Sequence, residues 1–177
     1  MAKGDDKKQN VEPTAVLSKD ELRRRAAVAK QISSSFADIV TLLMRSETER
    51  NRTLGDLEWM VVPAMQAGQF AVAEAQSQET GVVAPLGVVL WAMVSAEVDK
   101  RLTAEAGQPM TLAPDEWRSG DIPWIVAAFG DNKVVGQLFE QLSKNVFTKQ
   151  PAKLRARDKD GNPFVGRLEF KPGTPAA

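Results

Sequence analysis

The stretch EWRSGDIPWIVAAFGDN, residues 116–132, decides how the chain is read. It holds two of the four tryptophans in a sequence with no tyrosine. Trp117 and Trp124 bracket Ser119-Gly120-Asp121, and Phe129-Gly130-Asp131 closes the run. Gly-Asp pairs favour turns, because glycine tolerates a left-handed backbone and aspartate bonds to nearby amides. The apolar residues between the two turns read as a short strand. Behind them, KVVGQLFEQLSKNVF places Val134 or Val135, Leu138, Leu142 and Val146 on one helical face.

Upstream, VVAPLGVVLWAMV (82–94) is almost wholly apolar and too short for a membrane span, so it reads as a strand buried on both faces, with a turn at Pro85. Ser95 suits the N-cap of a short helix, AEVDKRLTAE, whose Glu97 and Asp99 favour the positive end of the helix dipole. QFAVAEA alternates as a strand. A helix is expected over about 54–67, with Leu57, Val61 and Met65 on one face, a kink at Pro63, and Gly68 ending it. RSETERNRT, 45–53, is a charged break. Before it, Ser18 and Glu21 fit a capping box, and Leu22, Ala26, Ala29, Ile32, Phe36, Ile39 or Val40 and Leu43 form one stripe. That stripe predicts a long helix over about 18–46 lying along a core.

Downstream, AKLRARDKDGNPFVGRLEF reads as a hairpin around Asp160-Gly161. The order is helix, helix, strand, strand, helix, strand, helix, hairpin. It predicts one α/β domain of α+β type over residues 16–170, with a central, mostly antiparallel sheet flanked by helices. Residues 1–15 are expected to be a disordered lead and 171–177 a flexible tail.

Composition narrows the chemistry. The 177 residues are 43% apolar and 26% charged, and 23 basic residues balance 23 acidic ones. That balance gives no electrostatic reason to expect nucleic acid as a partner. No histidine and no cysteine are present, which removes Ser-His-Asp and Cys-His catalysis and the usual zinc ligand sets. No metal is expected. The polar amino terminus lacks the apolar segment of a signal peptide, and a cytoplasmic protein is expected.

The segment WRSGDIPW followed by AAFGDN resembles a W-x-SGD-x-x-W … FGD signature found in the toxin-activating lysine acyltransferases, the family of the haemolysin and cyclolysin activators. VVPAMQAGQFAV resembles that family's Pro-Ala-apolar-Gln-x-x-Gln-aromatic segment, and PLGVVLWAMVSAEVDKRL its Trp-Ala … Ser-x-Glu segment. The resemblance spans about residues 40–170. It implies a GNAT-like fold, a homodimer and a fatty acyl transfer. The donor would be acyl carrier protein, with no other cofactor, and the acceptor the ε-amino group of a lysine in an RTX protoxin. The family's catalytic histidine corresponds in position to Glu49. The interval that carries the family's catalytic aspartate is shorter here and holds no carboxylate.

Acyl transfer to lysine needs a group that removes a proton from the attacking ammonium. Glu49 is the candidate by position; it is also surrounded by Arg45, Arg50 and Arg52, with which it can form a surface ion pair. Asp131 is the candidate for the missing acid, or alternatively a helix N-cap. Trp117 and Trp124 are candidates for an acyl or pantetheine channel, or for plain core. Ser119, Gly120, Asp121 and Gly130 complete the expected substrate-binding turns, the two glycines offering backbone donors to an oxyanion. Lys153, Arg155, Arg157 and Lys159 alternate, so a strand would put four cations on one face, suited to an acidic carrier protein. A soluble edge strand explains the same pattern. The alternative function is an accessory protein that binds a protoxin or carrier protein without catalysis.

Overall fold

The computed structural model describes residues 18–168, so the expectations for the lead and for 171–177 lie outside the described residues. Helices α1 (Lys19–Arg45) and α2 (Leu54–Ala67) are followed by strands β1 (Phe70–Gln76) and β2 (Val83–Val94), then α3 (Ala96–Ala104). A 3-10 turn (Pro114–Arg118) leads into β3 (Ile122–Gly130), α4 (Asn132–Asn145), β4 (Lys153–Arg157) and β5 (Pro163–Arg167). The five strands stand in chain order across one sheet, and every neighbouring pair is antiparallel except β3 and β4.

β2 is the spine. Its residues alternate between two buried layers, because helices cover both faces of the sheet. Val88, Leu90, Ala92 and Val94 pack with Ile39, Val61, Leu102, Trp117 and Trp124 on one side. Val89 and Trp91 pack with Ile125, Leu138, Leu142, Phe147 and Ala152 on the other. Pro85 causes no turn. It sits where the ladder with β1 slips by one residue, at Ala73/Glu74, which is where a residue without an N–H is tolerated.

Local signals set the helix ends. Gly68 closes α2 with φ 63°, a left-handed backbone. Ser95 accepts the Val98 amide at the start of α3. Ser18 accepts the Glu21 amide, but the Glu21 carboxylate turns to Arg25, so half of the expected capping box forms. A complete box occurs instead at Thr53 and Asp56.

Two further expectations are corrected. The apolar stripe of α1 does not lie on a core along its length: Ser35, Ile39, Leu42 and Leu43 are buried, whereas Leu22 is 52% and Ile32 41% exposed. A helix of this length runs about 40 Å, at 1.5 Å per residue, and overhangs the layer that its last turns cover. In α4, Val146 is exposed, and Phe147 takes the core position edge-on to Trp91, because the chain leaves the helix after Asn145.

Candidate functional site

β3 and β4 run parallel and meet at one position, Trp124 opposite Lys153. Beyond that pair they part. The gap between them is a cleft of about 620 Å³, lined by Ile125 and Val126 of β3, Arg155, Ala156 and Arg157 of β4, Pro163, and the loop from Ala106 to Met110. A strand irregularity marks the same place. Leu90 faces Ala127 and Trp91 faces Ile125, so Val126 is an extra residue bulging out of the β2–β3 ladder. A bulge bends its strand and leaves its own backbone groups outside the ladder.

The closed end of the cleft is pinned by charge. Asp99 of α3 accepts the Lys153 ammonium at 2.6 and 2.8 Å and the Trp124 indole N–H at 2.8 Å. The Lys153 nitrogen also lies 5.8 Å from the centre of the Trp124 ring, within cation–π range. Both partners of the ion pair are more than four-fifths buried, so this is a desolvated contact rather than a surface one. Two residues along β4, Arg155 donates to the carbonyls of Leu102 and Gln108. Burial lowers the pKa of this guanidinium, and the charge of Glu105 opposes that shift.

Lys153 and Arg155 are therefore turned inward against α3, and the expected row of four free cations does not form. Arg157 stands at the cleft rim and donates to the Gly161 carbonyl. Lys159 lies in the hairpin loop beyond the strand. Lys153 and Arg155 share the side of β4 that bonds to α3, and β4 lies inside the sheet between β3 and β5.

The residues of the 116–132 stretch occupy a structural corner. Trp117 is 1% exposed and Trp124 fully buried; both belong to the core. Ser119 Oγ accepts the Ser95 amide at 2.8 Å and donates to the Glu116 carbonyl, tying the corner to the start of α3. The Gly120 N–H is bonded to the Met93 carbonyl, and a Cβ there would stand 2.6 Å from the Val94 carbonyl oxygen. Gly130 takes φ 123° and is pressed against the Leu86 carbonyl, a place closed to a side chain. Asp121 is exposed, and its carbonyl accepts from Gln150. Asp131 caps α4, its Oδ1 accepting the Lys133 and Val134 amides at 2.9 and 3.1 Å.

Glu49 sits in the turn between α1 and α2. It pairs with Arg52 Nε at 2.8 Å, and its side chain is 23% exposed. It does not line the cleft. Sequence reading missed Val126, Asp99 and the 106–110 loop. A bulge has no local signature, and Asp99 showed only its helix-dipole role.

A family model described as the RTX toxin acyltransferase family matches residues 28–166. The chain belongs to the RTX toxin acyltransferase family. The match takes in every candidate residue above, from Glu49 to Lys159, together with the parted strands; the first turns of α1 lie outside it. No curated protein matches the chain by sequence. Among the described residues no helix is long and apolar enough to cross a membrane.

Proposed function

We propose that this member of the RTX toxin acyltransferase family moves a fatty acyl group from the thioester of acyl carrier protein to a lysine ε-amine of an RTX protoxin. The observation that carries this reading is the parting of β3 and β4 beside the Val126 bulge. Parallel strands that separate expose unpaired backbone donors and acceptors on both inner edges. An amide-bearing pantetheine arm can bond to such edges as an added strand would. The small and apolar wall of Ala106, Pro109, Met110 and Ile125 suits a hydrocarbon chain.

In the reaction the deprotonated amine attacks the thioester carbonyl, the C–S bond breaks, and the carrier thiolate leaves. The oxyanion needs preorganised N–H donors. The Gly120 amide is engaged elsewhere, so the backbone at the Val126 bulge is the better source. Glu49 is the proposed proton acceptor by its match to the family position, after release from Arg52. Arg157 at the rim, with Lys159 beyond it, would meet the acidic carrier. The GNAT-like character, the cytoplasmic location and a homodimer belong to the same proposal. The exposed face of α1 is the surface offered to a second copy, because it continues the stripe that Ile39 and Leu43 bury.

A second reading, an accessory protein that binds a protoxin or carrier without turnover, is favoured by one observation: Glu49 is paired with Arg52 and lies off the cleft lining. Co-expression with an RTX partner, followed by peptide mass spectrometry, separates the two. Lysines heavier by a fatty acyl group are expected with the native chain, and loss of at least about 100-fold in Glu49→Gln, the usual effect of removing a general base. An unmodified partner sinks the transferase reading. Full acylation by Glu49→Gln removes Glu49 from the mechanism.

A further inference from the structure

One wall of the cleft is a loop that Arg155 braces across the gap. The 105–110 segment follows α3, whose last carbonyls have no partner within the helix. Arg155 reaches from β4 and donates through Nε and Nη2 to the Leu102 carbonyl at 3.2 and 2.8 Å, and through Nη1 to the Gln108 carbonyl at 2.8 Å. A cation at a helix C-terminus is also favoured by the helix dipole. On its other side the loop is pressed against β5: a Cβ on Gly107 would stand 3.2 Å from Pro163 Cγ. At the loop's exit the Thr111 carbonyl lies 3.5 Å from Arg101, whose short bonds go to Glu116. Between these points Ala106, Gly107, Pro109 and Met110 line the cleft.

We propose that Arg155 is a positioning residue whose forked bonds to Leu102 and Gln108 set the width of the cleft, and through it the length of acyl chain that the cleft accepts. The proposal rests on the acyl-transfer reading for its ligand, and on the hydrogen bonds of Arg155 for the brace. A guanidinium is required because a lysine ammonium is a point donor and cannot bridge two carbonyls in a fixed fork. Two of the cations of β4 thus have separate tasks. Lys153 closes the vertex of the cleft, and Arg155 holds its open arm.

The test uses the full chain with Arg155→Met, which keeps the aliphatic stem, and Arg155→Lys, which keeps the charge. Amide hydrogen exchange is read over residues 105–111, and calorimetry measures binding of amide analogues of acyl-pantetheine over a ladder of chain lengths. In Arg155→Met the exchange of the 105–111 amides rises while that of β2 stays unchanged. The affinity ratio between the best and the next longer chain falls by about tenfold, the lower end of what a hydrophobic pocket discriminates. Arg155→Lys falls between. Unchanged exchange in both variants, or affinities lowered by one common factor at every length, overturns the proposal. If the loop loosens and the native chain binds none of the analogues, the acyl-transfer reading falls and the length selection falls with it, leaving only the brace.

Discussion

Asp99 holds two donors, the Lys153 ammonium and the Trp124 indole N–H, where β3 and β4 meet. Asp99→Asn keeps the shape and removes the charge, leaving a largely buried ammonium against a neutral amide. A loss of about 2–4 kcal/mol in urea denaturation is expected, toward the lower part of the range for a broken buried pair because both side chains keep some solvent contact. Asp56 gives a pH prediction. The Thr53 amide, then the Thr53 hydroxyl, hold its pKa below the ordinary carboxylate value. Such a group adds stability above its unfolded pKa, and that stability is lost as pH falls through the folded one. Asn162 depresses Asp158 in the same direction. Stability should therefore decline below about pH 4, and Asp56→Asn should make the acid side of a thermal-melting profile shallower. An unchanged acid slope in that variant would remove the cap from the account.

At the scale of elements, α1 divides into two halves that a single apolar stripe does not distinguish. Ile39 is fully buried, whereas Ile32, two turns earlier on the same stripe, is exposed. Ile39→Ala is expected to cost about 2–5 kcal/mol, as for other core truncations. Ile32→Glu should change monomer stability by no more than about 0.5 kcal/mol, while shifting a dimer toward monomer in sedimentation. Equal costs at both sites would mean that the helix is covered along its whole length. The period of the stripe was legible in the sequence, because helical spacing is a property of the segment itself. How much of the stripe is covered was not, because that depends on where the sheet ends.

For the molecule as a whole, the cleft is the quantity to test. Ala156 lines it from β4, and Ala156→Trp should fill it. Acyl transfer is expected to fall by at least about tenfold, the effect of about 1.4 kcal/mol lost from the transition state. A melting temperature within a few degrees of the native one would show that the loss is local to the cleft. Transfer at the native rate would place the donor elsewhere.

What the sequence by itself determined were the elements and their order: the long helix, the twice-buried β2, the N-caps at Ser18 and Ser95, the Gly68 stop and the hairpin around Asp160-Gly161. The family signature was legible there as well. These follow from short-range energetics, namely the periodicity of apolar residues and the bonding of chain ends to their neighbours in sequence. Only the tertiary structure decided that Trp117 and Trp124 are core, that Lys153 and Arg155 turn inward, and that β3 and β4 part after one pair. Each of those outcomes depends on which residues meet across separations of 25 to 54 positions, as Trp124 with Asp99 and Lys153 with Asp99 do. Such meetings are set by sheet register and a one-residue bulge, and no local pattern encodes either.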